Sequence, residues 1–356
     1  MNILLTASFA NGLFCNGLQQ NIVFLAEMLK EMNYNVAICI NHSISECSDP
    51  PTGILIMEED EIDSEFNPDF VLQTGFVLRD STIDGIKNKN HRCKNIHVHY
   101  GNRMLADIEQ CKWDTMAITD HKVDEIWVSP HYEISIPYFK AFYHTQKVHI
   151  IPYIWSPKYI DIHRSIYIKR GKDCKYIPGQ EKNIAIVEPN LNMTKNCLPA
   201  ILIAEELIQD QPDLFNKLYV YCSSSIMEKR YFRGWMWNLD LPKLGKVQFS
   251  GRNKISDIFA NDANVVISHH LMNALNYTHL ESIYLDIPLV HNSEYMKDSG
   301  YYYPDYDIQK GASRLMEALT YHDESLDEYR KKAKSTLHRF SPDNELVRAK
   351  YRLLFS

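Results

Sequence analysis

Short apolar runs alternate with longer stretches of helical spacing along almost all of the 356 residues. In the first half, residues 3–7, 36–40, 70–73, 95–99, 125–128 and 148–152 read as strands. Between the first two, Ile22, Leu25, Ala26, Leu29 and Met32 recur at helical spacing. A polar, lysine-rich stretch follows, with Gly171, Pro178 and Gly179. The alternation then restarts with a strand at 183–187, a helix from 196 to about 209, and strands at 218–222 and 247–250. Residues 265–307 read strand, polar loop, short helix, strand, loop. Leu280, Ile283 and Tyr284 share one face of that helix, and the next strand begins at Leu289, after Pro288. Two apolar stripes close the chain: Leu326, Tyr329, Ala333, Leu337, then Leu346, Val347, Tyr351, Leu354. Ser341-Pro342 reads as the cap and first residue of the last helix.

Strand and helix in alternation predict parallel sheets. Two such halves define an α/β chain. The expected division is an N-terminal Rossmann-like domain over 1–155, a linker over 156–181 and a second Rossmann-like domain over 182–322. Helices over 323–356 either pack back on the first domain or lie on the second. In such sheets ligand groups come from loops at the carboxyl edge.

Composition narrows the classes. A net charge of −7 argues against a general nucleic-acid binder, and no apolar run approaches the roughly 18 residues that span a bilayer. The N-terminus lacks a basic leader and reads as a first strand. The eight cysteines form no CxxC pair, which favours reduced thiols and no zinc ribbon. The formal sequons at Asn192 and Asn276 fall in the candidate site, where a glycan would block it, so a cytoplasmic location is expected.

Four loops hold the candidate chemistry. After the first strand, Asn11-Gly12 to Asn16-Gly17 permits tight turns and close backbone approach, but an ordinary strand–helix loop reads the same way. In the 95–99 strand, alternation sets His97 and His99 on one face. They suit a metal only with a third ligand that the sequence does not supply, or serve as structural histidines. In Glu188 to Asn196, Lys195 precedes a helix start, where a cation complements a diphosphate or is simply solvated. Arg252, after another strand, is a second cation. In Asn273 to Glu281, the helix start favours phosphate, with Asn276, Tyr277 and Thr278 offering backbone N–H groups. Glu281, one turn in, suits ribose hydroxyls. The acidic run from Glu58 to Asp63 reads as a solvated loop.

The stretch Asn273 to Glu281, followed by Asp286-Ile287-Pro288-Leu289-Val290, resembles the Glu, seven residues, Glu unit of retaining, family-four-like glycosyltransferases of the GT-B fold. It is closest to a little-characterised group of them. Glu281 matches the second glutamate; Asn273 stands at the first, and the motif's glycines are absent. Lys195 matches the lysine of the family's diphosphate segment, whose arginine position holds Pro189. The resemblance implies two Rossmann-like domains facing a cleft, with C-terminal helices returning to the first. It implies sugar transfer from a nucleotide diphosphate donor to a hydroxyl acceptor, with retention, without metal and with no cofactor besides the donor substrate. It assigns His99, Lys195 and Asn273 to catalysis, and Gly17, Lys195, Arg252, Asn276, Tyr277, Thr278 and Glu281 to the donor. Asp305-Tyr306-Asp307 matches the metal motif of the other glycosyltransferase fold but follows an aromatic loop rather than a strand. A nucleotide-sugar epimerase and a non-catalytic nucleotide- or carbohydrate-binding protein remain the alternatives. Donor base, sugar, acceptor and oligomeric state are not legible.

Overall fold

The computed structural model describes residues 1–9, 17–46, 51–113 and 123–356. The chain splits into two compact units, Met1–Ser156 with Phe340–Ser356, and Pro157–Arg339.

The first unit is built on a seven-stranded parallel sheet of β1 (Asn2–Ala7), β2 (Asn35–Ile40), β3 (Leu55–Glu58), β4 (Phe70–Gln73), β5 (Lys94–His99), β6 (Glu125–Val128) and β7 (Val148–Ile150). Their order is β3-β2-β1-β4-β5-β6-β7. The second unit carries β8 (Asn183–Ile186), β9 (Lys217–Val220), β10 (Val247–Phe249), β11 (Val265–Ser268), β12 (Leu289–His291) and β13 (Tyr301–Tyr302). They are ordered β10-β9-β8-β11-β12-β13, again all parallel. Every residue of β4, β6, β11 and β12 is buried. Strands covered on both faces read as unbroken apolar runs rather than alternating ones. In each sheet the order reverses once, between β1 and β4 and between β8 and β11, and the crevice at such a reversal is where Rossmann-type sheets bind ligands.

The acidic run after β3 is ordered. Glu58 and Glu61 close a capping box, and Arg79 pairs with Glu59 at 3.1 Å. Residues inside the polar 156–181 stretch form the helix Lys158–Ile168, with Tyr159 and Ile160 buried. The Tyr284 hydroxyl donates to Asp161 at 2.9 Å, bracing this helix against the helix Tyr277–Tyr284.

The tail divides. The helix Leu326–Phe340 is tied to the second unit: the Tyr329 hydroxyl donates to the Ile287 carbonyl at 2.6 Å and accepts from the Leu289 amide at 3.2 Å. The helix Glu345–Leu354 belongs to the first unit. There the fully buried Tyr351 donates to the Pro152 carbonyl at 3.2 Å, and Phe355 meets Phe70 edge-on at 5.0 Å and Trp127 at 5.3 Å. The cap of this last helix is Asn344, not Ser341. The Asn344 side-chain oxygen accepts from the Leu346 amide at 2.9 Å, while Ser341 and Pro342 make the preceding turn.

Candidate nucleotide site

The loops that leave β8 and β11 flank the reversal in the second sheet. They are joined to each other: Lys195 and His270 form an antiparallel bridge, and the Leu271 amide donates to the Thr194 carbonyl at 2.9 Å.

Beneath this junction lies a buried polar network. Glu188, just past the end of β8, is 1% exposed. One carboxylate oxygen accepts from the Ser268 hydroxyl at 2.5 Å and the other from His270 Nε2 at 2.9 Å. His270 Nδ1 donates to the Asn273 carbonyl at 2.8 Å. The nearest partners of both ring nitrogens are thus acceptors, so the ring is held between the two loops. Burial alone would raise the Glu188 carboxyl, but His270, Ser268 and Lys195 hold it below its ordinary value. Since Ser268 donates to Glu188, it accepts from His279 Nε2 at 2.8 Å. Burial drives His279 well below its usual range and His291 to about 4, so these two rings stay neutral.

Lys195 is half-buried; burial lowers its ammonium from the ordinary value and the Glu188 carboxylate opposes that shift. The helix Tyr277–Tyr284 begins at Asn276, whose backbone is extended and whose side chain accepts from the Thr278 amide at 3.4 Å. That cap occupies one of the three amides expected to be free for phosphate. Tyr277 is buried at the first helical position. Glu281 is half-buried, and its carboxyl has no hydrogen bond or ion pair among the described residues. Burial raises it to about 7. A desolvated carboxyl without a partner is costly to keep, and that cost is relieved by a ligand that donates hydrogen bonds to it.

The structure therefore brings Lys195, Asn273, Asn276, Tyr277, Thr278 and Glu281 to one sheet edge. Asn273 is buried, and its carbonyl orients His270. Arg252 is exposed on the neighbouring loop after β10. Its charge lowers the Cys222 thiol against the larger raising effect of burial, and the Cys222 carbonyl accepts from Asn190 Nδ2 at 3.2 Å. His99 and Gly17 stand in the first unit. His99 ends β5 with its ring stacked on Phe139 at 4.8 Å and 6.3 Å from that of His97. Gly17 opens the helix Gly17–Glu31, and loop residues 11–16 lie outside the described residues. Asp307 serves as a helix cap, accepting from the Lys310 amide at 2.8 Å. Glu188, Ser268 and His279 escaped the sequence reading. The available signal was a carboxylate directly at the end of an apolar strand, which is where sheet ligands gather.

The two parallel sheets with helices define a GT-B architecture, and solved glycosyltransferases share it. An alpha-glucosyltransferase in complex with UDP and a 13-mer DNA containing an HMU base is similar with a TM-score of 0.64 at 13% identity, over 100% of both chains. The pneumococcal O-GlcNAc transferase GtfA in complex with UDP and GlcNAc gives 0.57 at 11%, over 99% of this chain and 98% of that one. WaaG, a glycosyltransferase involved in lipopolysaccharide biosynthesis, gives 0.54 at 16%, over 96% and 95%. The chain itself belongs to the family described as protein of unknown function (DUF2827), whose model matches residues 3–355. No curated protein matches it.

Proposed function

We propose that this protein is a glycosyltransferase that takes a sugar from a nucleotide diphosphate donor to a hydroxyl acceptor, with retention and without metal. The observation that carries the reading is Glu281: a desolvated carboxyl with no partner among the described residues, in the helix that starts at the sheet reversal. Ribose hydroxyls are donors of the right kind for it. Lys195, the amides at the start of the helix Tyr277–Tyr284 and Arg252 supply positive potential for the diphosphate. That potential grows in value as the glycosidic bond breaks and the leaving diphosphate gains charge. The Glu188–His270 pair acts one step back, fixing the two loops that carry these groups. His99, Gly17 and Asn273 are proposed to reach the sugar or its acceptor. The UDP in the solved alpha-glucosyltransferase and GtfA makes UDP-sugars the first donors to test.

Asn273, standing where the related motif has glutamate, favours a second reading: donor binding without turnover. Incubating the protein with labelled nucleotide sugars, with and without hydroxyl acceptors, separates the possibilities. Transfer that needs an acceptor and survives chelator supports the proposal. A donor changed without acceptor indicates an epimerase, and tight binding with no product under any condition supports the second reading.

A further inference from the structure

The helix Arg230–Met236 in the second unit has an inner and an outer side. Phe232 and Met236, one turn apart, are buried. The outer side carries Arg230, Tyr231 and Arg233, and Trp237 follows at the C-cap. Tyr231 is 79% exposed and Trp237 82%. Between them, Gly234 sits where an added side chain would meet nothing. Leu244, after the next short helix, is 55% exposed. Lys229, Arg230 and Arg233 form no ion pair among the described residues. Residues 228–246 hold five cationic and two acidic side chains in a chain whose net charge is −7.

Large aromatic rings left in water mark a surface meant to be covered. Trp and Tyr with flanking cations are the side chains that settle at a membrane–water boundary, with rings at headgroup depth and charges on anionic headgroups. Two other occupants fit less well. A second copy related by a two-fold axis would set this patch against itself and oppose like charges. A nucleic acid strand calls for a groove that tracks its backbone, whereas the exposed rings and cations here sit on one short helix and its two caps.

We infer that this face docks on an anionic lipid surface through Tyr231 and Trp237, steered by Lys229, Arg230 and Arg233. The inference does not depend on the transferase reading. Because the whole protein is acidic, attraction to an anionic surface has to come from a local patch.

The test is co-sedimentation of the full chain with vesicles of phosphatidylcholine alone and of phosphatidylcholine with about one third phosphatidylglycerol. Binding is expected only to the anionic vesicles and should fall as salt rises within the Debye regime. Each neutralised cation should reduce partitioning about fivefold, so K229Q/R230Q/R233Q should lose about a hundredfold. Y231S/W237S should also release the protein, and wild-type Trp fluorescence should shift to the blue on vesicles. Unchanged circular dichroism in both variants checks folding, since the replaced side chains are exposed. Failure to bind anionic vesicles at low salt overturns the inference. So does binding that neither variant alters, and so does retention of single-stranded nucleic acid by the same residues while vesicles are ignored.

Discussion

Replacing Glu281 by Gln should strengthen the protein and weaken its hold on nucleotide at the same time. Burial raises the Glu281 carboxyl from 4.5 to about 7. A carboxyl raised in the folded state holds its proton there more tightly than in the unfolded chain. Its contribution is therefore most favourable below about pH 4.5, declines as pH rises to about 7, and is flat above. The shift corresponds to about 3 kcal/mol at pH 8, an upper value for a half-buried group that water partly screens. Gln keeps the shape without the charge. Glu281→Gln should thus raise stability by roughly 1–3 kcal/mol at pH 8 and by little near pH 4.5. For a unit of this size that is roughly 2–10 °C in Tm. Ribose hydroxyls donate to the ionised form, so nucleotide affinity should climb with pH from 6 to 8 in the wild type. The variant should lose about tenfold or more, since a hydrogen bond to a charged group contributes about 1.5–3 kcal/mol. Scanning calorimetry at two pH values and isothermal titration of nucleotide read both arms. A lower Tm at pH 8, or nucleotide affinity unchanged by the substitution, refutes the reasoning.

Three further outcomes follow from other parts of the fold. Lys195→Ala should weaken a nucleoside diphosphate far more than the matching nucleoside in titration calorimetry, as the role proposed for its ammonium on the phosphates requires. Glu188→Gln should destabilise by about 1.5–3 kcal/mol in denaturant titration, because the Ser268 hydroxyl and the His270 ring lose their charged acceptor. Because the Glu188 carboxyl is held below its ordinary value, that stability is present above about pH 4.5 and lost as pH falls through the folded value, so the variant's Tm should vary less in acid. Phe355→Ala removes the ring packed on Tyr34, Phe70 and Trp127 and should cost about 3–5 kcal/mol in the first unit, seen as an earlier melting transition.

Strands β4, β6, β11 and β12 were legible because burial on both faces leaves polar residues only at their ends, Gln73, Glu125, Ser268 and His291. Two of the four edge strands, β3 and β13, were not. β3 has Leu55 45% exposed and runs straight into acidic residues, so it lacks both signals, and β13 is two tyrosines in an aromatic loop. The helix Lys158–Ile168 keeps Ile162, Ile166 and Ile168 exposed among charged residues, which blurs its stripe into a linker composition. At the site, the short helix and the place of Glu281 could be read from local spacing alone. The Glu188–His270 pair could not. Its partners are 82 residues apart and meet only because β8 and β11 become neighbours in the sheet.

Hydrogen exchange of the intact protein with and without a nucleoside diphosphate tests the central claim most directly. Uridine diphosphate is the first ligand to use. The account predicts slowed exchange in the two loops at the sheet reversal, around Glu188 to Cys197 and His269 to Glu281, with weaker slowing around Arg252. Absence of binding by any nucleoside diphosphate would contradict it. So would protection confined elsewhere in the chain while those two loops exchange unchanged.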